Sequence, residues 1–169
     1  ELPSQFLEYF AWEKSILNLI SRHYKTNRRL PSTLIKKMRA AKNFQSGLQL
    51  LRQIELSLFD FRLHVEFDPE KGYEQIQELL DSIRQRIDII PIAPFNRFQH
   101  GFSHIFSGGY AAGYYSYLWS EVLACDVFSK FQKDGIFNAE TGNAFLQSIL
   151  EQGGAMDAIE LFKKFRGRA

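Results

Sequence analysis

The sequence has little of what breaks helices or cross-links a chain: five prolines, eleven glycines and one cysteine in 169 residues. A single thiol excludes an internal disulfide framework and suits a reducing compartment. Its neighbours Val122, Leu123, Ala124, Val127 and Phe128 place Cys125 on an apolar helix face as a small buried hydrophobe. Charge of one sign is scarce too. The 21 Lys and Arg against 19 Asp and Glu leave +2, too little for a dedicated nucleic-acid binder. No apolar run approaches the ~18 residues of a membrane span, and the first residues lack the basic-then-apolar layout of a secretory leader. With 45% hydrophobic and 24% charged residues, disorder and collagen-like architecture are excluded. What is abundant is aromatic: 16 Phe, 7 Tyr and 2 Trp. Many rings and few breakers predict one all-α domain, a multi-helix bundle of seven or so helices.

Apolar spacing sets out the helices. Phe6, Leu7, Phe10, Ala11, Leu17 and Ile20 predict one amphipathic helix over Pro3 to Ile20, and Ser32 caps a second carrying Leu34, Ile35 and Met38. A long helix runs from about Phe44 to Val65, Asp68 to Gly72 is a turn, and Tyr73 to Ile87 resumes a helix. Pro91 and Pro94 exclude a regular helix over Ile89 to Phe95. After Gly108-Gly109, helices are expected over Tyr110 to about Phe131, Ala139–Leu150 and Ala155–Phe165.

Chemistry concentrates between His100 and Glu121. His100 and His104 stand four apart, the spacing of two zinc ligands on a helix, but Gly101 occupies the place where a metallopeptidase motif needs a glutamate base. At 100° per residue, Tyr110, Tyr114, Tyr117 and Glu121 share one stripe. Aromatic stripes are usually core, yet a core would use Phe, because each buried phenol needs a partner. Tyrosines behind a Gly-Gly hinge suggest hydroxyls aimed at a substrate carbonyl or oxyanion. Glu1 and Glu8, seven apart, share a face only if the helix starts as early as Glu1. Otherwise they are two solvated carboxylates, as the clusters Arg28-Arg29, Lys36-Lys37 and Lys163-Lys164 are solvated cations.

Glu1-Leu2-Pro3-Ser4-Gln5-Phe6-Leu7-Glu8, Asn43-Phe44-Gln45-Ser46-Gly47 and, above all, His100 through Glu121 resemble the C-terminal part of the thimet oligopeptidase (oligopeptidase A) family of zinc metallopeptidases. The resemblance covers essentially the whole chain. It implies the C-terminal segment of a zincin-type catalytic domain over residues 1–169, cytoplasmic, acting on short peptides and not on nucleic acid or membranes. Glu1 matches a zinc ligand, and Glu8 a carboxylate that orients a ligand or the first helix. Tyr110 and Tyr117 match donors to the tetrahedral intermediate, His104 and Tyr114 contacts to the peptide backbone. The family's His-Glu-x-x-His helix is absent, since no His here is followed by Glu. The resemblance therefore implies a fragment that is inactive alone, holds zinc weakly or not at all, and self-associates through surfaces near Tyr110 to Tyr117 that the remainder would cover. The rival reading is a non-enzymatic helical interaction module.

Overall fold

The structure is a computed structural model that describes residues 1–168. Among these residues there are helices, turns and loops and no strand, the all-α class that the composition predicts. They divide into two compact units rather than one: Glu1–Arg39 with the residues from Trp119 on, and Ala40–Leu118.

In the first unit, α1 (Leu2–Phe10) begins directly behind Glu1, whose carbonyl accepts the Gln5 N–H at 3.0 Å and the Ser4 hydroxyl at 2.8 Å. Pro3 falls in the first turn, where a missing N–H costs no helical bond. The single helix expected to Ile20 is divided. Ala11, Trp12 and Glu13 each bond back three residues, Glu13 turns extended, and α2 (Lys14–Ile20) starts afresh. In α3 (Ser32–Lys42) Ser32 is the first helical residue and not the cap, because the Pro31 carbonyl accepts the Leu34 and Ile35 N–H groups. Leu34 and Met38 are exposed.

α6 (Ser116–Asp134) begins at the end of the second unit and runs into the first, followed there by α7 (Ala139–Phe145), a wide turn at Leu146–Leu150, and α8 (Ala158–Arg166). Asn138 caps α7 by accepting the Thr141 N–H at 2.9 Å, and Gly167, at φ +75°, ends α8. These helices share a phenylalanine core. Phe6 lies 4.4 Å from Phe145 and 5.2 Å from both Phe10 and Phe131, ring to ring, and Phe145 lies 5.3 Å from Phe165. Each buried ring stabilises the fold by about 1.5–3 kcal/mol. Cys125 is exposed, correcting the buried placement: Ala124, Val127, Phe128 and Phe131 hold the inward stripe of α6, and Cys125 lies a step around the helix from it.

The second unit is a pair of helices, α4 (Ser46–Glu66) and α5 (Glu74–Ile87), with the chain that follows them. The turn between them is capped by Asp68, which accepts the Glu70 N–H at 3.1 Å, and reverses at Gly72, φ +80°. Leu56, Phe59 and Leu63 pack with Leu80 and Ile83. Beyond α5 the proline-containing stretch is irregular, as expected, and short single-turn helices cover Phe98–Gly101 and Ser103–Ile105.

Candidate functional site

The helix expected from Tyr110 starts only at Ser116, so Tyr110 and Tyr114 precede it in a tight turn. Gly108 and Gly109 have φ of +73° and +79°, and Ala112, unusually for a residue with a side chain, has φ +54°. The Gly113 N–H donates to the Tyr110 carbonyl at 2.7 Å, and the Tyr117 N–H to the Tyr114 carbonyl at 3.2 Å. This turn, not a helical stripe, collects the rings. Tyr110 stacks on Tyr117 at 5.0 Å, Tyr114 lies 4.9 Å from Tyr117, and His104 stands 5.2, 5.4 and 6.0 Å from Tyr110, Tyr114 and Tyr117. Gly108 is more than a hinge, because a Cβ there would meet the Tyr110 ring at 3.0 Å.

The four side chains differ in exposure. Tyr114 is buried, within the core that Leu56, Phe59 and Phe102 help to form, and its hydroxyl meets the Gln53 side chain. Burial first, and the neighbouring Tyr117 second, raise the Tyr114 phenol above its ordinary pKa. His104, Tyr110 and Tyr117 are only partly covered. The cluster thus has a buried wall and a more open face.

Two buried carboxylates on α4, overlooked in the sequence, hold this segment. Asp60 is fully buried, and its oxygens accept the Ala112 N–H at 3.0 Å and the Tyr114 N–H at 2.9 Å. His64, one turn on, donates from Nδ1 to the Asp60 carbonyl at 2.8 Å and lies 3.3 Å from Asp60 Oδ1. Glu55 is buried too, taking Arg84 Nε at 2.8 Å and Arg52 Nη1 at 2.5 Å. Arg52 lies over the Phe98 ring at 4.1 Å, while Arg84 reaches the Asn96 side-chain oxygen at 3.2 Å, which also accepts the Phe98 N–H at 3.1 Å. Glu55 thereby braces the approach to the His104 turn. Taking such a carboxylate out of water costs several kcal/mol, of the order of 3–5 when its partner is removed. The legible signal was charge at core positions: Glu55 and Asp60 lie among the buried positions Leu56, Phe59 and Leu63.

The remaining expected residues lie elsewhere. His100 is exposed on its own short turn and makes no pair with His104 on one α-helix. Glu121, one turn beyond Tyr117 on α6, accepts the Tyr9 hydroxyl. That bond, with burial as the larger cause, holds the Tyr9 phenol above its ordinary pKa. Glu1 and Glu8 are exposed on the first unit, at the cap and in the last part of α1. The described residues contain no group of three His, Cys, Asp or Glu placed to hold a metal. Zinc needs three or four donors, and Glu1 stands outside any such group, so the described residues do not make a zinc site. Two cavities of about 570 and 550 Å³ open beside Arg84, Asp88 and Asn96, and beside Phe59, Gln99 and His100. Neither is lined by His104 or by the clustered tyrosines.

The chain combines an all-α fold with an imidazole-phenol cluster. Its family is peptidase family M3: the family profile matches residues 1–169, and the chain belongs to that family. It is 55% identical over 168 residues to oligopeptidase A of Salmonella typhimurium and equally to that of Escherichia coli, covering 99% of this chain and 25% of each relative. A probable cytosolic oligopeptidase A of Arabidopsis thaliana is 42% identical over 172 residues, covering 99% of this chain and 24% of its own length. The chain therefore spans about a quarter of the length of the curated relatives it matches. No helix among the described residues is long and apolar enough to cross a membrane.

Proposed function

We propose that this chain is the substrate-binding, C-terminal helical part of a zinc metalloendopeptidase that hydrolyses short oligopeptides in the cytoplasm. The observation that carries the reading is the convergence of His104, Tyr110, Tyr114 and Tyr117 with ring centroids within 6.0 Å of one another along the His104 and Tyr117 contacts. Tyr110 and Tyr117 donate phenol hydrogens to the oxyanion that forms when water adds to the peptide carbonyl. His104 and Tyr114 hold the peptide backbone. One neutral donor aimed at developing charge stabilises the transition state by about 2.7–4 kcal/mol.

Glu1 is the carboxylate this chain offers to zinc, and Glu8 orients it or α1. The other metal donors and the base that activates water belong to chain outside residues 1–169. On this reading the chain alone binds zinc weakly or not at all and hydrolyses nothing. Its partners are short peptides, and alone it self-associates through apolar surface near Tyr110 to Tyr117, where Tyr115 is 51% exposed. The test is Tyr117→Phe in the complete peptidase. The reading predicts kcat lower by about 10²–10³ with folding intact. An unaltered kcat contradicts it.

A further inference from the structure

We infer that Asp60 is the positioning residue of the tyrosine segment. It sets the directions of Tyr110, Tyr114 and Tyr117 from the opposite side of the turn, without touching substrate. The inference rests on the reading that these tyrosines face the peptide.

Three observations carry it. First, Asp60 is fully buried, and its acceptors go to two backbone N–H groups of one short turn, 52 and 54 residues further along the chain. A buried carboxylate is a poor way to stabilise a core, since an apolar side chain of similar volume usually does as well or better. It is a good way to hold two N–H groups at a fixed spacing. Second, the residue it grips, Ala112, is left-handed at φ +54°, a conformation that a side chain disfavours and that persists only where neighbours over-determine it. Third, the turn is rigidly connected to the rings. Gly113 bonds back to Tyr110, Ser116 to Gly113 and Tyr117 to Tyr114, so displacing Ala112 or Tyr114 moves Tyr110 and Tyr117 with it. His64 completes the anchor, its Nδ1 proton committed to the Asp60 carbonyl.

The experiment uses the complete peptidase with Asp60→Leu, which keeps an apolar core of similar size, and Asp60→Asn, which keeps the shape but places a second donor against one N–H. Hydrogen exchange of residues 110–117 and steady-state kinetics are read on both. Positioning predicts exchange in this segment at least tenfold faster, exchange in α4 and α5 within about twofold of the parent, and kcat at least tenfold lower with KM changed less than threefold. If Asp60→Leu does not fold, Asp60→Asn gives the same readings. Unchanged exchange and kcat in folded Asp60 variants, with Tyr117→Phe still impaired, overturn the anchor and leave the tyrosine reading standing. Faster exchange with kcat unchanged in the Asp60 variants and in Tyr117→Phe overturns both. A lower melting temperature with kcat per folded molecule unchanged, while Tyr117→Phe is impaired, reduces Asp60 to a structural residue and also overturns the inference.

Discussion

Two aromatic clusters, one in each unit, use rings for opposite ends. Around Phe6 the rings of Phe10, Phe128, Phe131 and Phe145 meet edge-on or tilted, with no hydroxyl among them. Around His104 stand Tyr110, Tyr114 and Tyr117, with Phe102 beside them, and two of the three tyrosines are only partly buried. A phenylalanine core needs nothing but volume, and its residues sit on α1, α6, α7 and α8, whose faces already point inward. The tyrosine cluster needs a turn with left-handed residues and a buried carboxylate to assemble it. On the proposed reading, side chains that cost so much backbone arrangement are placed for their hydroxyls, whereas those around Phe6 are placed for area.

The contrast can be broken at either cluster. Phe6→Ala is expected to have the largest effect on stability, about 3–5 kcal/mol, because it empties the centre of a close-packed ring cluster. Denaturant unfolding measures it, and kcat per folded molecule of the complete peptidase should stay the same. Gly108→Ala should cost about 1–3 kcal/mol, for a left-handed backbone and a Cβ pressed on the Tyr110 ring. Unlike the first change, it should lower kcat, through Tyr110.

Tyr9→Phe probes a phenol in the first unit that serves packing rather than substrate. The folded Tyr9 pKa is raised above 10.0, so the fold favours the neutral phenol. That contribution is complete below the unfolded value and is lost as pH rises through the folded one. Urea midpoints should fall for the parent in this alkaline range and fall less for the variant. The smallest effect is expected at Asp126, whose carboxyl Arg166 holds below the usual range, with bonds at 3.0 and 3.1 Å. Its contribution is present above the unfolded value of 3.8 and fades as pH drops through the lower folded one. Arg166→Gln should reduce that acid-side slope, Arg168 still facing the carboxylate, and change stability at neutral pH by less than about 1 kcal/mol.

How legible each cluster was follows from the same contrast. The bounds of the second-unit helix pair could be read to within about two residues, since the Asp68 to Gly72 turn between them is a local signal. The break between α1 and α2 was not legible: buried Phe6 and Leu17 lie about three turns apart, on one face of an uninterrupted helix as well as of a broken one. Cys125 was misplaced because apolar neighbours do not say which of them faces inward. The tyrosine residues were identified correctly as one group but for a wrong geometric reason. Helical spacing included Glu121 and assumed a helix from Tyr110, while the turn that replaces it depends on Asp60, more than fifty positions away. Local periodicity carries no trace of that contact, though an acid on the inward face of α4 marks one end of it.

The proposed division of labour is that the tyrosine cluster serves the transition state and the phenylalanine cluster does not. It is tested most directly by comparing the parent and Tyr117→Phe forms of the complete peptidase for kcat/KM and for affinity toward a peptide analogue with a tetrahedral, anionic group at the cleaved bond. The account predicts that both quantities fall by the same factor, about 10²–10³, while affinity for uncleaved peptide is retained. Equal losses for the analogue and for ground-state peptide, or no loss for either, would contradict it.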